Sequence, residues 1–204
     1  MATCVPAQEL WSESDPDRPV LIMGNSESVR MFDASVYDRF YTIGCNSRLH
    51  IQHTPDLTLM VDNQLPEPTS ECDILSHLPK WQKGHDGTCY TYQLGNKLQF
   101  HPDISTSTID FAETSAYMAI VTAYMMGYRS ITFIGLDLCA VSGKDRMDSP
   151  NPGVEKRRTL FFNSAVNHLT FLIKKMTRYN QCRFYSLSPH SRLLMDGNVH
   201  PANL

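Results

Sequence analysis

The sequence contains no CxxC pair, no GxGxxG, no GxxxxGK[ST] and no GxSxG. The first absence argues against zinc ribbons and thioredoxin-type sites. The second removes the dinucleotide fingerprint, the third the P-loop kinases, and the fourth the nucleophile elbow of serine hydrolases. Positive charge is not in excess either: 18 Lys and Arg stand against 21 Asp and Glu. There is no global basic field, so nucleic acid is a disfavoured partner. No apolar window approaches the roughly 18 residues needed to cross a bilayer. Met1 to Asp17 is polar, with acids and prolines, and lacks the charged stub and apolar run of a signal peptide. The six cysteines therefore read as reduced thiols, and a cytoplasmic location is expected.

What is present is ordinary globular material. The chain has 204 residues, 42% of them hydrophobic. That length predicts one domain with a sizeable core. Residues 1–18 read as a flexible leader and 19–204 as a single domain. Pro19 to Met23 is a short apolar run stopped by Gly24-Asn25-Ser26. Phe40 to Ile43 stops at Gly44-Cys45-Asn46, and Leu57 to Val61 stops at Asp62-Asn63. Short apolar runs closed in this way predict buried parallel strands. A helix is expected over Ser26 to Val36, with serine caps. Thr88 to Leu94 and Lys97 to Phe100 read as strands, and Ser115 to Met126 as a helix closed by Gly127. Ser130 to Ile134 is the clearest strand, and it ends in Gly135-Leu136-Asp137. Residues at about 138–153 read as a lid loop, Glu155 to Met176 as an amphipathic helix, and Arg183 to Leu187 as a last strand. Alternating strands and helices predict an α/β fold, with a Rossmann-like, mostly parallel sheet covered by helices on both faces.

Ligands of such sheets bind beyond the carboxyl ends of the strands. That rule gathers Asn25, Asn46, Asn63 and Asp137 along one edge. Asparagine both donates and accepts, which suits ribose hydroxyls, phosphate oxygens and base edges; it also simply caps turns. At the strand-to-helix turn, Gly24 and Ser26 offer close backbone approach to a phosphate. Asp137 can bind a metal, orient a hydroxyl or act as a base, or it can serve as a cap or ion-pair partner. His50 and His53 have a metal-like spacing but no third ligand nearby. Cys139 has no evident paired base.

These residues carry a family resemblance. The chain resembles the small, single-domain bacterial sialyltransferases that use CMP-activated sialic acid. The family's Gly-Asn-Gly-Pro-Ser-like first turn is similar to Gly24-Asn25-Ser26-Glu27-Ser28. Its Cys-Asn is matched by Cys45-Asn46 and its third-strand Asn by Asn63. Its Thr-Ser-Gly-x-Tyr-Met is matched by Thr114-Ser115-Ala116-Tyr117-Met118. Its Leu-Gly-Tyr and Ser-Gly-Ile-Asp are matched by Met126-Gly127-Tyr128 and Ile134-Gly135-Leu136-Asp137, and its Cys-Pro-Asn-Ser by Ser188-Pro189-His190-Ser191. The ordered set covers most of Val20 to Ser191. The resemblance implies a nucleotide-sugar donor of CMP type, bound as substrate with no required cofactor. It places Asn25, Asn46, Asn63 and Ser115 on the nucleotide. It also implies transfer of the sugar to the hydroxyl of a glycan or small-molecule acceptor, with a base taking the proton.

The catalytic half departs from the family. No His lies between His101 and His168, and the lid has no tyrosine. Asp137, His168 and His190 are the candidate bases. Lys144, Arg146, Arg157 and Arg158 are the cations available to a phosphate. A second resemblance, to the 6-hydroxymethylpterin diphosphokinase-like group, rests on Pro55-Asp56, Asp62 and the Gly-x-Asp of Asp137. It implies Mg²⁺ held by Asp62 and Asp137. A non-catalytic nucleotide-binding protein is the remaining alternative. A homo-oligomer is a possible assembly, although the Ala- and Met-rich helix from Ser115 reads rather as core.

Overall fold

A computed structural model of the chain describes residues 18–45, 53, 55–60, 73–76, 89–91, 114–139 and 155–202. Of these, 58, 60, 73–76, 89–91 and 155–161 are described through the backbone alone. Among the described residues the strands are β1 (Val20–Met23), β2 (Tyr41–Cys45), β3 (Leu57–Met60), β4 (Asp73–Ser76), β5 (Cys89–Thr91), β6 (Ser130–Ile134), β7 (Arg183–Ser186) and β8 (Val199–Pro201). They form one sheet in the order β5-β4-β3-β2-β1-β6-β7-β8. Every pairing is parallel. Among the described residues the α-helices α1 (Ser115–Met125) and α2 (Glu155–Asn180) accompany it. This is a Rossmann-like α/β fold.

Strand β1 shows why the apolar runs become central strands. All four of its residues are buried, and alternate side chains serve different layers. Val20 and Ile22 join the core formed with α1 and α2. Leu21 and Met23 join a second core with Val29, Tyr37 and Phe40. A strand sandwiched this way has no polar face, hence the continuous hydrophobic reading.

The layer on the second side of β1 differs from expectation. In place of one helix over Ser26 to Val36, the chain makes two 3-10 helices, Glu27–Met31 and Ala34–Arg39. Phe32 and Asp33 between them are extended, and the Asp33 carboxylate accepts from Ser35 N–H at 2.9 Å. A side chain that binds its own following backbone stops one helix and starts another. Tyr37 then closes the layer, its hydroxyl donating to the Val29 carbonyl at 3.0 Å.

Strands β4 and β8 were not legible in the sequence. The expected strand over Thr88 to Leu94 is confined, among the described residues, to Cys89–Thr91. Lys97 to Phe100 lies outside the described residues. Helix α2 runs four residues beyond the expected end, to Asn180.

From β1 the chain moves outward through β2, β3, β4 and β5, then returns to place β6 on the other side of β1. The order reverses between β1 and β6, and the crevice outside their carboxyl ends is where such sheets hold ligands.

Candidate active site

The crevice floor is two glycine turns packed against each other. After β1, Gly24 N–H donates to the Ile134 carbonyl at 2.8 Å, and Ser26 N–H donates to the Gly135 carbonyl at 3.0 Å. A Cβ on Gly24 would lie 2.1 Å from the Gly135 oxygen. Gly135 has φ +69°, and a Cβ there would lie 2.3 Å from Val29 Cγ2. Both glycines thus serve the approach of β1 to β6. The hydrogen of Gly24's missing side chain faces protein, and the N–H groups of Gly24 and Ser26 are already engaged. What this turn leaves for a ligand is the side chain between them.

That side chain is Asn25. Its Nδ2 donates to the Cys45 carbonyl at 3.1 Å, tying the end of β1 to the end of β2. Its Oδ1 is buried with no hydrogen-bond partner. A buried acceptor left unmade costs about 1–3 kcal/mol, and such a group marks a place where a donor from outside the chain fits.

Asp137 belongs to the same floor. It has no exposed surface. Its carboxylate accepts from Ser28 Oγ at 2.8 Å and from Ser28 N–H at 3.4 Å. Its own N–H donates to Ser26 Oγ at 3.4 Å. The carboxylate therefore latches the exit of β6 to the 3-10 helix after β1. Both of its oxygens are engaged by Ser28, the oxygens that the diphosphokinase reading would assign to Mg²⁺; Asp62, the partner in that reading, lies outside the described residues.

Helix α1 points its first turn at the crevice. Thr114 is its N-cap, with Oγ1 accepting from Tyr117 N–H at 3.1 Å. The first turn of a helix presents N–H groups with no acceptor one turn back, and the dipole there favours an anion. Around these groups lies an open cleft of about 640 Å³, including its mouth. Asn25, Ser26, Thr114 and Ser115 give it polar lining, while Leu136, Leu138, Phe162, Ala165 and Leu169 form an apolar wall. One side is thus suited to phosphate and hydroxyls, the other to a ring face.

Of the expected nucleotide contacts, Gly24, Asn25, Ser26 and Ser115 are brought together in this cleft. Asn46, Asn63 and Arg146 lie outside the described residues, as does nearly all of the expected lid beyond Cys139. Arg157 lies on α2, where only the backbone is described. Among the candidate bases, His190 is exposed on the loop after β7, and its carbonyl accepts from Cys139 Sγ at 3.3 Å. That loop is fastened to the end of β6: Ser191 Oγ donates to the Leu136 carbonyl at 2.7 Å, and Arg192 N–H to the Asp137 carbonyl at 3.0 Å. The Ser-Pro-His-Ser segment therefore stands beside the cleft. His168 is exposed on α2 and is not among the cleft-lining residues.

Other candidates lie elsewhere. His53 contacts Thr42 Oγ1 at 3.2 Å, at the amino end of β2, away from the cleft. Asp56 accepts from Thr42 N–H and Oγ1, each at 2.7 Å, and its own N–H donates to that hydroxyl at 3.0 Å. The Pro-Asp pair thus joins β2 to β3. His50 lies outside the described residues, and among the described residues no cluster of His, Cys, Asp and Glu fits a metal. Burial pushes the Cys45 thiol up to about 12, so it lines the cleft as an inert neutral group. Burial and the Asp137 charge raise Cys139, against a smaller opposing effect of Arg192. Thr114 and Ser28 stand in the sequence inside the family-like motifs, Ser28 also as a candidate cap, without the partners the structure gives them. A threonine just before an apolar helical run is a cap signal that finds the partner of the first; nothing local marks that of the second, 109 residues away.

No protein-family model matches the sequence, and no curated protein does. Solved structures do match. The CstII sialyltransferase from Campylobacter jejuni, in complex with the substrate analogue CMP-3FNeuAc, is 17% identical with a TM-score of 0.55; the match covers 91% of this chain and 86% of that one. A structure of the same enzyme with cytidine-5'-monophosphate is 16% identical with a TM-score of 0.54, covering 93% and 87%. Among the described residues no helix is long and apolar enough to cross a membrane. A parallel sheet that reverses order at β1 and β6, matched over nearly its whole length, gives this chain a sialyltransferase-like fold.

Proposed function

We propose that this chain is a glycosyltransferase that binds a CMP-activated sugar in the cleft at β1 and β6 and transfers the sugar to an acceptor hydroxyl. One observation carries the reading: Asn25 stands at the topological switch point with its amide anchored and its carbonyl oxygen buried and unpartnered. It is an acceptor waiting for a hydroxyl or amine donor, next to a helix N-terminus suited to phosphate. The neighbours' ligands, CMP and CMP-3FNeuAc, are of this chemical class.

In this reading Asn25 takes the nucleoside, with Asn46 and Asn63, which follow β2 and β3 in the sequence, as companions. The α1 N-terminus at Ser115 faces the phosphate, with Gly24 and Ser26 as floor. Arg146 and Arg157 are further phosphate contacts. Transfer forms a bond from the acceptor oxygen to the anomeric carbon and breaks the bond to the phosphate oxygen. The acceptor proton goes to a base and CMP leaves. His190 is the first choice of base, because its loop is fastened to the cleft edge and its ring is exposed. His168 is the second. Asp137 acts through Ser28 and Ser26 as a positioning residue for the floor.

A thermal-shift series tests this. A ligand at a hundred times its Kd stabilises by about 2.7 kcal/mol. CMP and a CMP-sugar should both raise Tm without Mg²⁺. Stabilisation by ATP with Mg²⁺ alone would favour the diphosphokinase alternative, and no shift with any nucleotide would remove both enzymes. Turnover of a CMP-sugar should fall in His190→Ala or His168→Ala with nucleotide binding intact.

A further inference from the structure

An anionic ligand in this cleft meets an electrostatic problem. Asp137 lies buried in the floor, and the hydrogen bonds described to its carboxylate come from a neutral serine. A carboxylate in a poorly solvated place repels a second anion strongly. The α1 N-terminus offsets part of this repulsion, and a cation at the carboxyl end of the sheet would offset more.

Most described cations are elsewhere. Arg30 pairs with Glu27 at 3.5 Å. Arg129 sits over the Tyr124 ring, before the start of β6, and Arg183 opens β7 at its amino end. Lys175 and Arg178 cover aromatic rings along the outer side of α2. Arg192 is different. It follows the Ser-Pro-His-Ser segment, and its backbone N–H holds the Asp137 carbonyl. Its Nη1 donates to the Leu138 carbonyl at 3.4 Å and to Asn163 Oδ1 at 3.0 Å. Leu138 lines the cleft, and Asn163 follows the cleft-lining Phe162. One guanidinium therefore joins β6's exit to α2 beside the apolar wall of the cleft. Both described bonds use Nη1, and a guanidinium has further N–H donors in the same plane. The fields of Asp137 and Arg192 reach the same atom, Cys139 Sγ, with opposite sign.

We propose that Arg192 is a ligand-binding residue that takes the anionic group of the bound molecule, phosphate or sugar carboxylate, at the mouth of the cleft. This rests on the nucleotide-sugar reading above. The planar fork of arginine suits a two-oxygen anion, and its bonds to Leu138 and Asn163 hold it at the edge of the apolar wall. The charge is supplied from the loop after β7.

Calorimetric titration of wild type, Arg192→Gln and Arg192→Lys with cytidine, CMP and CMP-sialic acid tests this. Arg192→Gln should weaken CMP at least tenfold and leave cytidine within twofold. Arg192→Lys keeps the charge but not the fork, so it should bind CMP more weakly than wild type and clearly better than Arg192→Gln, with cytidine unchanged. A merely structural Arg192 predicts that Lys, which cannot span Leu138 and Asn163 alike, is as poor as Gln and that cytidine weakens too; that pattern overturns the proposal. Weakened CMP-sialic acid with unchanged CMP assigns the contact to the carboxylate and still supports it. If wild type binds CMP and Arg192→Gln binds both nucleotides within twofold, the inference fails alone. If wild type binds none of the three, the nucleotide reading falls and takes the inference with it. Should Arg192→Gln not fold, Arg192→Lys decides: a tenfold loss of CMP and cytidine together refutes the charge role.

Discussion

Gly24→Ala probes whether the cleft floor is built as described. The added Cβ would stand 2.1 Å from the Gly135 oxygen, 2.5 Å from Leu136 Cδ2 and 2.7 Å from the Gly135 carbon. Two of these are backbone atoms, so no rotamer change relieves the clash. The Gly135 carbonyl also accepts from Ser26 N–H, and Gly24 N–H donates to the Ile134 carbonyl. Any shift that makes room strains both bonds. Overpacking of this kind costs about 3 kcal/mol, and a weakened hydrogen bond adds about 1 kcal/mol. A total near 4 kcal/mol lowers Tm by about 10 °C in a chain of this size. The control is Gly127→Ala, where φ is +97° but nothing lies within 4 Å. It carries only the left-handed backbone cost of about 1–2 kcal/mol. Urea unfolding of both variants measures the difference. If Gly24→Ala costs no more than Gly127→Ala, the two turns do not pack as described and the floor argument fails.

Other expectations follow from the same geometry. Ser28→Ala deprives a fully buried carboxylate of its shortest donor and should cost about 1–3 kcal/mol in denaturant unfolding; adding Asp137→Asn should recover part of it, and strict additivity of the two would argue against direct coupling. Asn25→Ala loses one bond to Cys45 but also removes the unpartnered oxygen, so apo Tm should move little while the Tm rise with CMP disappears; a full CMP shift in the variant would clear Asn25 of any role. Burial raises the Tyr37 and Tyr117 hydroxyls from 10.0 to about 12. The folded state then keeps protons that the unfolded chain gives up near pH 10, so stability is full below that value and declines as pH rises toward 12. Equilibrium unfolding at pH 8, 10 and 11 should show the decline, and a flat profile to pH 11 would contradict it.

Much of the architecture was legible because buried parallel strands are continuous apolar runs. Ser130–Ile134 was found to the residue, since Gly127 and Gly135 bracket it. Val20–Met23 and Arg183–Ser186 were found within a residue. Asp73–Ser76 was missed because two apolar residues make no pattern. Val199–Pro201 was missed because proline usually argues against a strand; among the described strands β8 stands at the sheet's edge, paired with β7, where proline is tolerated. The helix expected after β1 failed because Asp33 binds Ser35 in a local turn, and that competition is decided by packing of Tyr37 and Val29 beneath it.

By itself, then, the sequence determined the local pieces: which runs are buried, where β1, β6 and β7 stop to within a residue, and that Asn25 and Asp137 follow strands. These are short-range consequences of side-chain size, branching and capping. Tertiary structure alone decided what those stops do. The placement of β6 beside β1 turns Gly24 from a phosphate-approach glycine into the contact surface for Gly135. It also commits Asp137 to Ser28 and sets Arg192 between Leu138 and Asn163. Such partners are separated by tens to more than a hundred residues, and only the strand order brings them together.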